Sequence, residues 1–393
     1  MTFAVLALAT AAAIAAVTIH LTMPTASLMA VRIVASELAA YLVTIELVAL
    51  VLSLLALRDA PRIAAVLVAG AGLILALGPL LQLPGAIAAV DSALDAIGAP
   101  AASEPTFSVA RLLTGLPRPE VRRTDDVPFR IIEGTTLRLD RYDGAGEGPH
   151  PALVVVHGGS WRNGDKGAGV LDPRSLNQIL ARRGITVYDI QYRLAPAAVF
   201  PAQLDDVLCA LGHIRAHAAE DRVDAERVAL LGRSAGAHLA LLAAYRTGRD
   251  PVPTGCAMPA TVRGVISLYG PTDLERGYRN PAEPDLIEGS RAIADFLGST
   301  PDAMPATYAL ASPQGALDRP VPPTLLLHGQ ADQIVGPYHT TSLAASLSSH
   351  GDVVATVQLP WSGHGFDAIA WGTGGQLALA AVQRFLALVL APG

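Results

Sequence analysis

The segment Gly232-Arg233-Ser234-Ala235-Gly236 has the clearest chemical content in this sequence. A serine hydroxyl is a weak nucleophile until a base takes its proton, and its oxygen must also stand clear of the backbone. The setting meets the second need. An apolar run, Val228-Ala229-Leu230-Leu231, leads in and a helical stretch, Ala237-His238-Leu239-Ala240-Leu241-Leu242, leads out, so Ser234 is expected on a sharp strand-to-helix turn between small residues. An alkoxide attacking a carbonyl creates negative charge that needs N–H donors. The loop His157-Gly158-Gly159-Ser160-Trp161, after the strand-like Leu153 to Val156, offers glycine amides for that purpose. Gly158 or Gly159, with Ala235 after the nucleophile, are the expected oxyanion hole, and Ser160 and Trp161 are expected to border the substrate pocket.

A base and an acid should follow in the chain order Ser, acid, His. Among ten histidines, His364 stands out in Ser362-Gly363-His364-Gly365-Phe366, held between glycines after a strand ending at Leu359-Pro360. Asp332, in His328-Gly329-Gln330-Ala331-Asp332 after the strand Thr324 to Leu327, is the matching carboxylate to fix the imidazole tautomer. Asp367 is the rival acid, but three residues from His364 it reads as a capping or surface group. His157, ending a strand, is expected to brace the oxyanion loop, and His238 to lie on the helix behind the nucleophile. There is no HExxH, paired CxxC or DxDxDG pattern, so no metal is expected.

These segments need a frame. From about residue 128, short apolar runs alternate with longer amphipathic ones: 151–156, 185–190, 228–231, 262–268, 324–327 and 353–359. That alternation predicts an α/β domain with a mostly parallel sheet covered by helices on both faces. The fifty or so residues between Asp273 and Pro323, with a helix over 291–297, are expected above the C-terminal strand ends, as part of the pocket or as a plain sheet-covering element.

The first hundred residues differ in kind. They hold eight of the chain's 62 charged side chains, and residues 1–31 hold none. With 51% hydrophobic residues and a mean hydropathy of +0.41, the 393-residue chain is unusually apolar for a wholly soluble enzyme. Three spans are expected, over 3–23, 38–57 and 63–83, with the polar turn Arg58-Asp59-Ala60-Pro61-Arg62 between the last two. A short interfacial helix (Ile87, Val90, Leu94, Ile97) and the linker 98–105 follow, so 1–105 reads as a membrane region and 106–393 as the catalytic domain. Glu46 and His20, at depth, read as packing groups; a transport or sensing role is the rival reading. Two arginines in the 58–62 turn against Arg32 alone in the 24–37 loop place that turn in the cytoplasm of a bacterium and the catalytic domain outside its plasma membrane.

A net charge of −6, with no basic cluster, sets nucleic acid aside as a partner. The expected partners are an ester substrate and the lipid bilayer; no protein partner can be named. Cys209 and Cys256 lack metal-ligand spacing, and the plainer reading is two unpaired thiols, a disulfide requiring an oxidising compartment.

From about Arg122 onward, HGGSW with Gly164-Asp165-Lys166, Tyr192-Arg193-Leu194-Ala195-Pro196, Phe200-Pro201, GRSAGAH, Leu268-Tyr269-Gly270-Pro271-Thr272-Asp273, HGQAD and GHGF resemble the α/β-hydrolase fold. Within it they resemble the hormone-sensitive-lipase and bacterial feruloyl-esterase-like carboxylesterases. The resemblance implies a Ser234, Asp332, His364 triad, an acyl-enzyme and no cofactor. Ser160 replaces the usual third glycine, a variant also similar to kynurenine formamidase. An amidase or arylformamidase and an acyltransferase therefore stand beside a serine carboxylesterase acting on short- to medium-chain or lipidic esters. A membrane sensor or transporter with a non-catalytic hydrolase-like domain is the alternative of a different class.

Overall fold

The computed structural model describes residues 2–55, 60–116, 120–167 and 174–392. Helices α1 (Thr2–Thr18), α2 (Ala26–Glu37), α3 (Ala39–Leu55), α4 (Ala60–Ala96) and α5 (Val109–Thr114) precede a sheet of eight strands. The strands are β1 (Arg123–Ile132), β2 (Thr135–Tyr142), β3 (His150–Val156), β4 (Thr186–Ile190), β5 (Val223–Arg233), β6 (Val262–Leu268), β7 (Thr324–Gly329) and β8 (Val354–Leu359). Between and after them lie α6 (Arg174–Arg182), α7 (Ala202–Ala216), α8 (Ala235–Arg246), α9 (Leu274–Arg279), α10 (Gly289–Leu297), α11 (Pro305–Ala311), α12 (Tyr338–His350) and α13 (Thr373–Val389). Strand order is β1-β2-β4-β3-β5-β6-β7-β8. β3 to β8 run parallel, and β1 and β2 add an antiparallel edge. This is the α/β-hydrolase fold.

Buried on both faces, the central strands divide their residues by a period of two. Val154, Leu230, Val265 and Leu326 join a core with α7 and α8, while Leu153, Leu231, Ile266 and Leu327 join a second core with α6 and α13. The second core has a further member. Leu83, Ala86, Val90 and Leu94 of α4 lie in it, so the C-terminal half of that helix covers the sheet. Buried Arg384 of α13 fixes the contact by donating to Asp91 (3.3 Å), Asp95 (2.5 Å) and the carbonyl of Pro100 (2.9 Å).

The N-terminal helices depart from the three expected spans. α1 stops at Thr18, whose hydroxyl donates to the Ala15 carbonyl (2.6 Å), well short of residue 23. α3 meets α2 at 76°, and α4 runs unbroken through Pro79 and Pro84, where a break was expected. An interior proline removes one helical hydrogen bond, which the turns on either side of an apolar helix tolerate. Among the described residues only Ile63–Ala96 is long and apolar enough to cross a bilayer, or two such elements exist if the bent α2–α3 pair is one. The stretch expected as a separate interfacial helix is the end of α4. Arg58 and Asp59 of the expected polar turn lie outside the described residues.

The cysteines are also corrected. Cys209 and Cys256 form a disulfide with Cα atoms 5.2 Å apart. Their 47-residue separation hides a close approach: the Ala260 N–H donates to the Leu211 carbonyl (3.1 Å), and a Cβ at Gly212 would strike the Ala257 backbone.

Candidate active site

Ser234 stands between β5 and α8 with φ 53° and ψ −122°, a left-handed conformation that costs energy for a residue with a Cβ and lifts the side chain out of the sheet. The glycines two residues either side are sterically required. A Cβ at Gly232 would collide with the Gly236 carbonyl, and one at Gly236 with the carbonyls of Val156 and His157. The Ser234 N–H donates to the Leu268 carbonyl (2.9 Å), which ties the turn to β6.

Ser234, Gly158, Gly159, Ser160, Arg233, Tyr269 and His364 line one cavity of about 500 Å³ at the C-terminal ends of the strands. Gly158 lies so close that a Cβ there would be 3.3 Å from the Ser234 Cβ, and Gly159 (φ 123°) has no room for one. Ala235 is buried and opens α8, so its N–H is among the amides that a helix N-terminus leaves without an intrahelical acceptor.

His364 follows β8 and its Nδ1 is 2.8 Å from Asp332 Oδ2. Asp332 follows β7 with its carboxylate fully buried. Its Oδ1 accepts from the N–H groups of Ile334 (2.8 Å) and Val335 (3.0 Å), and His328 Nε2 is 3.2 Å from Oδ2. Burial alone would raise this carboxyl, but His364 and the hydrogen bond from His328 outweigh it and hold the group well below the usual carboxylate range. Asp367, the rival acid, is engaged elsewhere: Arg233 Nε donates to it at 2.5 Å and the Tyr269 hydroxyl donates to its other oxygen.

His157 and His238 are both buried and hydrogen-bonded within the fold. His157 is buried, stacks on Tyr192 with centroids 4.2 Å apart, and its backbone carbonyl accepts from the Tyr192 hydroxyl (3.0 Å). His238 Nδ1 accepts from Trp161 Nε1 (3.2 Å), which leaves Nε2 to donate to the Ala311 carbonyl (2.7 Å). Burial pushes His238 down to about 4, so the ring is neutral near pH 7. Trp161 is itself buried, stacks on Phe296 of α10 with centroids 4.6 Å apart, and borders a second cavity of about 310 Å³.

The 273–323 stretch supplies α9, α10 and α11 over the strand ends, with α10 starting two residues before the expected helix. Ile287, between α9 and α10, lines both cavities, and its carbonyl accepts from Arg162 (2.7 Å), so this stretch is tied to the glycine loop that ends at Trp161. Sequence reasoning missed Arg233 and Tyr269. The signal for Arg233 was its place next to Ser234, and for Tyr269 its place at the end of a central strand, where the ring now lies 4.5 Å from that of His364.

Among the N-terminal helices, His20 Nε2 lies 2.9 Å from the Leu75 carbonyl, and Glu46 is buried against Gly72 of α4. Neither lines the cavity that holds Ser234.

Residues 139–347 match the BD-FAE family. The chain is 30% identical to the esterase LipC of Mycobacterium tuberculosis over 227 residues, covering 56% of this chain and 54% of that protein. It is also 30% identical to the probable carboxylic ester hydrolase LipM of the same organism over 247 residues, covering 62% and 56%. The chain thus spans about half the length of these curated relatives. The crystal structure of esterase LipW from Mycobacterium marinum superimposes with a TM-score of 0.55 at 22% identity, over 80% of this chain and 90% of that one, a likeness of fold.

Proposed function

The chain belongs to the BD-FAE family, and from that membership we propose that it is a serine carboxylesterase held at a membrane, hydrolysing short- to medium-chain or lipidic carboxylic esters through an acyl-enzyme. The observation that carries this reading is the hydrogen-bonded His364–Asp332 pair opening onto the same cavity as Ser234 on its strained turn.

A proton on His364 Nδ1, held by ionised Asp332, leaves Nε2 as the basic nitrogen, which takes the proton of Ser234 Oγ as that oxygen attacks the ester carbonyl. The amides of Gly158 or Gly159 and of Ala235 receive the negative charge that forms on the carbonyl oxygen. The protonated imidazole returns its proton to the departing alcohol, and water activated by the same ring then cleaves the acyl-enzyme. A cavity of about 500 Å³, bordered by Ile287, Ile334 and the glycine loop with Ser160 at its edge, would take the acyl group, while Trp161 lines the second cavity, which shares Ile287 and Ile334 with the first.

Membrane attachment is supported by the apolar helix Ile63–Ala96 and the bent α2–α3 pair. An extracytoplasmic catalytic domain in a bacterium is supported by the Cys209–Cys256 disulfide, since such bonds persist where the compartment is oxidising.

Hydrolysis of a chain-length series of p-nitrophenyl esters by the full chain in detergent micelles, beside its Ser234→Ala variant, tests the proposal. The variant should fold and lose at least about a thousandfold in kcat. Activity retained without the serine hydroxyl would refute the assignment. Preference for an N-formyl aromatic amide would indicate an amidase, and new ester formed with added alcohols an acyltransferase.

A further inference from the structure

Glu37, the last residue of α2, is a carboxylate in a segment otherwise nearly free of charge, and it is fully buried against the catalytic domain. Its Oε1 accepts from the Ser362 hydroxyl (3.0 Å). Its Oε2 accepts from the backbone N–H groups of Gly374 (2.5 Å) and Gly375 (3.2 Å). Those amides open α13, where N–H groups lack intrahelical partners, and the N-cap there, Gly372, has no side chain to supply one. A side chain from 337 residues earlier therefore caps this helix. The Thr373 hydroxyl adds contacts to the carbonyls of Ser36 (3.3 Å) and Glu37 (3.4 Å).

The site is built to admit the carboxylate. A Cβ at Gly374 would lie 2.7 Å from both Glu37 Oε1 and Ser362 Oγ, and one at Gly372 would lie 2.8 Å from Glu37 Cβ. On the far side of the contact, Ser362 begins the Ser362-Gly363-His364-Gly365 loop, and its carbonyl accepts from the Ala331 N–H (3.1 Å), next to Asp332. α2 and its lead-in continue along the same loops: Ile33 comes within 3.8 Å of the Cβ position of Gly365, and the Met23 N–H donates to Gln333 Oε1 (3.1 Å).

We propose that Glu37 is a positioning residue for the reaction at Ser234: through Ser362 and the start of α13 it sets the loop that aims His364. The proposal rests on the serine-hydrolase reading given above. It makes the N-terminal segment part of the catalytic apparatus, since the loop of His364 is tied to α2 and that of Asp332 to its lead-in at Met23.

The test uses the full chain in detergent micelles, assayed well below each variant's melting temperature. Turnover of p-nitrophenyl butyrate is normalised to active sites titrated with a fluorophosphonate. Displacing the loop should act on transition-state alignment, so Glu37→Ala is expected to lower kcat about tenfold or more with KM within about twofold. Glu37→Gln keeps a carbonyl acceptor and should recover kcat to within about threefold of wild type. Gly374→Ala, which expels the carboxylate from the opposite side, should reproduce the Glu37→Ala loss and carries the test if Glu37→Ala does not fold. Variants that melt earlier yet keep kcat within about twofold would overturn the proposal, leaving Glu37 a docking contact only. Failure of the underlying reading registers separately, as absence of Ser234-dependent fluorophosphonate labelling in the wild-type chain, and would overturn this proposal with it.

Discussion

At the scale of single residues, the site depends on groups kept in one protonation state by burial, which gives the protein a defined response to acid. His238 is pushed down to about 4 by burial, whereas an unfolded histidine titrates near 6.5. Below about 6.5 the unfolded chain takes up a proton that the folded chain refuses, so stability from this ring is complete above that pH and is lost as pH falls toward 4. The slope within that window is about 1.4 kcal/mol per pH unit for one histidine. His213, lowered to about 4 by burial and then by His217, and His339, lowered to about 3 by burial and then by His328, act in the same direction. Asp332 acts only lower, since its depressed carboxyl loses its contribution as pH falls below the usual carboxylate range. Urea unfolding of wild type and His238→Gln at pH 7 and pH 5 should show the variant losing less stability on acidification, by on the order of 2 kcal/mol. Equal losses in the two proteins would remove His238 from this account. The proposed site residues Ser234, Asp332 and His364 could be picked out in the sequence because each follows shortly after an apolar strand, where local spacing predicts a turn. Glu37, Arg233 and Tyr269 were not, because the partners that give them meaning are 98 to 337 residues away in the chain.

At the scale of elements, the central parallel strands announce themselves as runs buried on both faces, and the register of β3, β5 and β6 then places the glycine loop and the turn at Ser234 side by side. β1 and β2 escaped notice because Arg123-Thr124-Asp125-Asp126 at the sheet edge and Arg138-Leu139-Asp140-Arg141 beside it are rich in charge rather than apolar, and they are paired through the two-residue turn Glu133-Gly134, in which both residues have positive φ (50° and 78°). α4 was misdivided for the opposite reason. Its apolar letters continue without change from a half that carries exposed Leu67, Ile74 and Leu81 into a half that joins the core of the sheet, and composition does not tell lipid from protein interior. The two halves should therefore answer differently to the same substitution. Leu94 is 0% exposed and Leu81 75% exposed. Leu94→Ala should cost about 2–5 kcal/mol through the cavity it leaves, and Leu81→Ala less than about 1 kcal/mol. Thermal or urea unfolding of the catalytic domain, followed by tryptophan fluorescence in detergent, reads the difference; equal effects would mean that the end of α4 does not support the sheet in solution.

For the whole molecule, these contacts argue against a tether followed by an independent enzyme. The second core is closed on one side by Leu83, Ala86, Val90 and Leu94, the buried guanidinium of Arg384 is satisfied by Asp91 and Asp95, and the start of α13 is capped by Glu37, all from before residue 106. Cutting the chain at that point would expose apolar residues of β8 and α13 and leave a buried arginine without its carboxylates, a loss that costs several kcal/mol on its own scale. A segment of 106–393 is accordingly expected to aggregate or to unfold at much lower urea than the full chain. A chain beginning at Ala60 keeps α4 and should fold in detergent, yet without Glu37 its kcat should fall by about the same tenfold as in Glu37→Ala. Size-exclusion chromatography, urea midpoints and active-site-titrated turnover of the three lengths separate support of the fold by α4 from alignment of His364 by α2. A monomeric, cooperatively folding 106–393 with the full chain's kcat would show that the N-terminal helices only anchor. Loss of folding at 106 with full kcat from Ala60 onward would keep α4 as a structural element and remove α2 from the mechanism.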